Sequence, residues 1–245
     1  MSKISTLIFV LFFPLFVSAQ QQDSVDVHYK SGIKPFIIPA ALVGYGIIAK
    51  GDNLMNDFDR SVQRRIHTSN PNPSERIDDV LRYVPAAAVY GLNIAGIKGK
   101  HSVLDATGVF VLSNAIMGAS VKLTKRATQH VRPDGSDNHS FPSGHSSAAF
   151  ASAEFLKQEY KDVSPWYGYG GYTVAVATGV LRMRHNKHWL GDVVAGAGFG
   201  ILSTKAAYLL YPEVKKLFKG KNATSYTLLP IYQEKCIGLT FNASL

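Results

Sequence analysis

Among the polar residues between Lys125 and Asp192, three cations, two histidines and one carboxylate stand out by type and order against much Ala, Gly and Val. They are Lys125, Arg132, the turn Pro142-Ser143-Gly144-His145, then Arg182, His188 and Asp192. Together they could form a pocket that binds a tetrahedral oxyanion and breaks a phosphate ester with a histidine nucleophile. Arginine offers a planar fork for phosphate oxygens, and lysine adds a mobile point charge. His188 and Asp192 stand at i, i+4, so a carboxylate can hold one imidazole nitrogen and leave the other free to attack. Arg182 supplies a second guanidinium. Ser143 and Gly144 open an obvious helix through Ala148-Ala149-Phe150-Ala151, whose first N–H groups make an anion site without any side chain. His145 follows at once, where its ring can reach the leaving oxygen of an ester bound there.

Each of these features also has a plainer reading. Lys125 and Arg132, seven residues apart on a helix expected to run to Val131, match a solvated basic helix end. His145 fits a packed cap, and His188 with Asp192 fits an exposed ion pair. Lys122, Arg126 and His130 are most simply surface residues. Arg184, His185 and Lys187 read as a basic rim near the pocket mouth.

The 245 residues suffice for one sizeable core, and the mean hydropathy of +0.02 is modest beside a charged content of only 18%. A net charge of +9 suits anionic partners. The cations that matter do not form a basic tract interleaved with aromatics, which argues against nucleic acid. The single cysteine, Cys236, excludes an internal disulfide and a cysteine-based metal site.

Residues 1–19, with Lys3, an apolar run and small residues at Val17 and Ala19, read as a secretory signal cleaved after Ala19. Residues 20–74 read as a polar leader and helices. In them, Leu54, Phe58, Val62 and Ile66 predict the buried face of an amphipathic helix, with Asp57, Asp59, Arg60, Arg64 and Arg65 on the wet side. Ser74 is expected to cap a second short helix that buries Ile77, Val80, Leu81 and Val84. Apolar, small-residue stretches at 85–97 and 103–121 suit close helix packing in lipid or in protein, with Asp105 turned to protein. No catalytic role is assigned before Lys122. The last apolar run is expected to end at Pro212, ahead of a basic segment and a β-hairpin within 213–245 around Gln233-Glu234-Lys235.

The order Lys-x6-Arg-Pro, Pro-Ser-Gly-His, Arg-x5-His-x3-Asp resembles the type 2 phosphatidic acid phosphatase superfamily. That superfamily includes bacterial class A acid phosphatases and vanadium haloperoxidases. The similarity spans roughly 75–212 and departs at Leu181, where many members carry serine. It implies an all-α, membrane-associated helical bundle with a short non-helical tail. It also implies no cofactor or metal ion in the phosphatases. Carried over, His188 would attack phosphorus to give a phosphohistidine, Asp192 would orient it, and His145 would protonate the leaving alkoxide. Lys125, Arg132, Arg182, the Ser143 hydroxyl and the Gly144 amide would hold the equatorial oxygens. The expected substrate is a phosphorylated envelope lipid, with lipid A favoured over phosphatidate, phosphatidylglycerol phosphate or undecaprenyl diphosphate, at the periplasmic face of the membrane. The alternatives are a soluble periplasmic acid phosphatase, a haloperoxidase, or a membrane protein that only binds phosphate.

Overall fold

Glycine and alanine at the helix contacts decide how this chain packs. The structure, a computed structural model, describes residues 32–68, 77–218, 225–233 and 236–244. The expected signal segment and the Ser74 cap lie outside these residues. Eight helices are described: α1 (Lys34–Ile48), α2 (Leu54–Thr68), α3 (Ile77–Leu81), α4 (Val84–Ile94), α5 (Val103–Thr128), α6 (Gly144–Tyr160), α7 (Pro165–Arg184) and α8 (Leu190–Phe218). The expected tail hairpin is present: β1 (Ser225–Gln233) pairs antiparallel with β2 (Cys236–Ser244), with Gln233 opposite Cys236.

Helices α6 and α8 form the centre. α6 packs against α7 and α8, and α8 also lies along α1 and α5. Nearly all of α6 is buried, including Ser146, Ser147, Ala149, Ala153 and Phe155. The glycines of α8 make this approach feasible. A Cβ on Gly200 would stand 2.2 Å from the Ser147 carbonyl oxygen, and one on Gly196 2.7 Å from that of Ser143. On the side facing α1, a Cβ on Gly198 would meet the Pro39 carbonyl at 2.5 Å. α8 is thus clamped on two faces at backbone distance, which fixes the height of its first turn against the first turn of α6.

The hydrophobic cluster at the other end joins α4, α5 and α6 through Ala86, Val89, Ala106, Phe155, Leu156 and Tyr160. Buried charges beside it are paired, as burial requires. Glu154 meets Lys205 at 2.9 Å, and Glu159 accepts from His101 at 2.8 Å and from Tyr208. Asp105 caps inward as expected, accepting from Tyr211 and pairing with Lys215 at 2.6 Å.

Several helix limits and faces differ from the sequence expectation. α5 stops at Thr128, where Gln129 turns left-handed at φ 42°, so Lys125 and Arg132 do not share one helix. α8 runs through Pro212 to Phe218, because a proline interrupts only the bond its missing N–H would make and packing carries the helix past it. α3 turns Ile77 and Val80 outward and buries Asp78, and Val84 at the start of α4 is exposed too. α2 is partly inverted. Val62 and Ile66 are half-buried and Asp57, Arg60, Arg64 and Arg65 face out as expected, but Leu54 is 85% exposed and Phe58 57%, whereas Asp59 and Gln63 are buried. The reason is hydrogen bonding. Asp59 accepts from the Gly191 amide at 2.7 Å, Gln63 donates to Asn186, and His67 faces the Arg184 carbonyl at 3.0 Å.

Among the described residues two helices, Val103–Thr128 and Leu190–Leu217, are long and apolar enough to cross a membrane. Large apolar side chains also stand outward on α1, α5 and α7, among them Ile38, Leu104, Val111, Leu123, Trp166 and Val176. Exposed apolar area on this scale marks contact with another apolar phase.

Gly200→Ala is expected to destabilise the bundle by about 1–3 kcal/mol through overpacking against Ser147. Gly118→Ala, where a Cβ would meet nothing within 4 Å, should be neutral or slightly stabilising. Thermal unfolding of the two variants in one detergent checks the contrast.

Candidate active site

Asp192 occupies the first turn of α8 and is almost wholly buried. Its carboxylate faces His188 Nδ1 at 3.6 Å and His130 Nδ1 at 3.2 Å, and accepts from the Trp189 amide at 2.9 Å and from the Ser140 hydroxyl. Its main-chain carbonyl accepts from the Ser143 amide at 2.9 Å. One residue therefore ties the nucleophile candidate to the Pro-Ser-Gly-His turn. The link from α7 passes through Asn186, whose φ of 58° lies in the left-handed region that asparagine tolerates better than most residues.

His188 is buried, which pushes its pKa down to about 4. The hydrogen bond and charge of Asp192 favour its protonation, while the charges of Arg182 and Lys125 oppose it. At neutral pH the ring is thus the free base. With Nδ1 turned to Asp192, Nε2 is the nitrogen left for chemistry.

The three cations converge. Arg132 and Arg182 both act electrostatically on Lys125, and Lys125 and Arg182 both act on His188. Lys125 Nζ donates to the His139 and Ser140 carbonyls. Arg132 leaves the loop after α5, donating through Nε to Asp137 at 2.7 Å and through Nη1 to the Lys187 carbonyl at 3.4 Å. Arg182, in the last turn of α7, pairs with Asp78 at 2.6 Å. Ser143 caps α6, its hydroxyl accepting from the Ser146 amide and hydroxyl. Its own amide is spent on Asp192, so the main-chain donors this turn offers an anion are the Gly144 and His145 amides at the helix start.

His145 Nε2 lies 2.7 Å from Asp79 Oδ1 and 3.9 Å from Asp78 Oδ2. This bond to His145 is the main reason the Asp79 carboxyl sits below its usual pKa. Asp78, Asp79 and His145 bring three potential ligand atoms within 4.8 Å of one another, and all three already have partners in the chain.

Sequence reasoning missed Asp78, Asp79 and His130. The acidic pair precedes every motif residue by more than forty positions, and its short helix looked like core material. His130 was placed on the surface, yet its ring reaches Asp192 and lies 6.5 Å from the Trp189 ring. The early end of α5 is what turns it inward. His185, expected on the rim, instead lies 3.5 Å from Asp78.

A helical bundle in which lysine, two arginines, two histidines and an aspartate stand near the start of a serine-glycine helix offers donors that can hold a tetrahedral anion. Residues 107–216 match the model of the PAP2 superfamily. Among curated proteins the chain is similar to a lipid A 1-phosphatase from Porphyromonas gingivalis, 40% identical over 139 residues. That alignment covers 54% of this chain and 30% of the relative, so the chain accounts for less than a third of that protein's length. Among solved structures, a transmembrane PAP2-type phosphatidylglycerolphosphate phosphatase from Bacillus subtilis aligns over 76% of this chain and 99% of its own. Its TM-score is 0.45 and its identity 20%.

The buried imidazole yields a titration prediction. An unfolded histidine binds its proton near pH 6.5 and His188 only near 4, so this residue should cost stability progressively as pH falls through that interval. Histidine NMR should find one ring with a midpoint near 4 that vanishes in His188→Gln. A midpoint near 6.5 for that ring would contradict the buried, neutral assignment.

Proposed function

We propose that this chain is a phosphoric ester hydrolase acting on a phosphorylated lipid of the cell envelope through a phosphohistidine. The observation that carries the reading is the buried His188–Asp192 pair, with a neutral imidazole among three converging cations and the start of α6. His188 Nε2 attacks phosphorus as the P–O bond to the leaving group breaks, and His145 gives its proton to the departing oxygen. Water then attacks the phosphohistidine, His145 takes its proton, and the P–N bond breaks to return neutral imidazole and release inorganic phosphate. Asp192 stabilises the positive charge that the imidazole acquires between the two steps. Lys125, Arg132, Arg182, the Ser143 hydroxyl and the Gly144 amide hold the equatorial oxygens, where charge stabilisation and in-line placement supply most of the rate.

Burial holds the His145 pKa below its usual value, the Asp79 hydrogen bond partly restores the proton that the acid step needs, and Asp78 sets the Arg182 guanidinium. Substrate phosphate enters against this acidic pair.

A lipid substrate is supported by the outward apolar side chains on α1, α5 and α7 and by the two helices of membrane-crossing length. Lipid A is favoured because the Porphyromonas gingivalis relative is a lipid A 1-phosphatase and the aligned part of this chain is long enough to include the whole motif set. The segment at 1–19 supports action at the periplasmic face. A soluble, non-specific acid phosphatase would have no use for so much exposed apolar surface.

His188→Ala and His145→Ala should each lower phosphate release by about a thousandfold or more, with vanadate a micromolar-range inhibitor of the wild type. Assay of detergent-extracted protein on lipid A and on a soluble phosphomonoester reads both activity and preference. Near-normal turnover by either variant would end this mechanism. EDTA should have little effect. Activity lost to EDTA and restored by a divalent metal would instead point to a cation at Asp78, Asp79 and His145.

A further inference from the structure

Beside the phosphoryl pocket lies an open depression of about 350 Å³, lined by Arg60, Gln63, Arg64, His67, Pro133, Asn186 and Trp189. Pro133 follows Arg132, and Trp189 follows His188, so two lining residues are chain neighbours of the phosphoryl site. From the geometry we infer that this depression is a second anion subsite, which receives a further phosphate group when the first is held at His188. The inference deepens the phosphatase reading and rests on it for the placement of the first phosphate.

Three observations carry it. The first is the partial inversion of α2. A surface helix ordinarily buries its apolar stripe and gives its charges to water. Here Leu54, Met55 and Phe58 point outward, while the side bearing Arg60, Gln63, Arg64 and His67 is turned to the α7–α8 connection. These cations are therefore held at the depression by the fold.

The second is that the charges are fixed but not neutralised. Arg60 donates Nε to Asn56 at 2.7 Å and lays its guanidinium over the Trp189 ring at 5.4 Å. Arg64 donates Nε to the Arg60 carbonyl at 3.3 Å. Among the described residues neither guanidinium has a carboxylate partner, in contrast to Arg132, Arg182 and Lys187, which pair with Asp137, Asp78 and Asp134. Two preset guanidinium groups with their outer nitrogens free suit a phosphate.

The third is connection to the catalytic segment. Gln63 donates to Asn186, the left-handed residue that leads into His188, and Arg60 rests on Trp189, whose amide binds Asp192. The same phosphate chemistry could come from a second phosphoryl group on the substrate's own head group or from a neighbouring anionic lipid.

The test uses the full chain with Arg64→Gln, and Arg60→Gln with Arg64→Gln, in neutral detergent. Substrates are one lipid bearing two separated phosphates and its singly phosphorylated counterpart. The kcat/KM preference for the doubly phosphorylated lipid should fall roughly tenfold or more, mostly through KM, with Arg64→Lys recovering part of it. If the preference holds in detergent but both substrates lose kcat/KM in vesicles containing anionic phospholipid, the subsite stands and its phosphate belongs to the bilayer. Unchanged kinetics in both settings would overturn it. Direct binding of the same lipids to His188→Ala, with and without the arginine substitutions, reads the subsite without turnover. Wild-type protein that releases no phosphate would sink the phosphatase reading, while lipid binding to His188→Ala that the arginine substitutions leave unchanged sinks this one.

Discussion

A single buried carboxylate holds the site together. Asp192 receives two imidazoles, a hydroxyl and an amide on its side chain, and a second amide on its carbonyl. A carboxylate so deeply buried survives only with its lone pairs satisfied, and here the groups that satisfy it come from the segment after α5, the turn before α6 and the connection before α8. Satisfying that charge and assembling the pocket are one event. The glycines of α8 supply the other half of the constraint, because only at backbone contact between α6 and α8 can the Ser143 amide reach the Asp192 carbonyl.

The polar and apolar parts of the bundle divide their tasks by depth. Alanine, glycine and serine fill the helix contacts, leaving the large apolar side chains of α1, α5 and α7 to face outward. That distribution reverses the arrangement of a water-soluble domain and suits helices whose neighbours are lipid tails. It also explains how a chain of modest mean hydropathy can carry such a surface: polar residues are gathered at the site and at the Glu154 and Glu159 networks.

How much could be read from the residues alone depended on the range of the interaction. His188 and Asp192 meet because four residues span one helical turn, and Ser143-Gly144 starts a helix because its cap is local. Both were legible. Lys125 and Arg132 are grouped in the sequence by helical phase, but α5 ends at Thr128, so tertiary packing of the loop, and not helical phase, places Arg132 where its charge acts on Lys125. Asp78 and Asp79 were invisible because a short helix of alternating apolar and acidic residues shows no preferred face until Arg182 and His145 are placed beside it. α2 departs in part for a related reason: Leu54 and Phe58 face out and Asp59 faces in, because periodicity gives two faces without saying how far each one meets protein.

Arg182 and His145 are not bare, since Asp78 and Asp79 already occupy them. On the proposed function, an arriving phosphoryl group would compete with these tethered carboxylates for the same donors. Such competition would soften the electrostatic trap that unopposed cations would set for the liberated product. The acidic pair would then work as a counterweight, easing the departure of the phosphate ion as much as it resists the arrival of the ester.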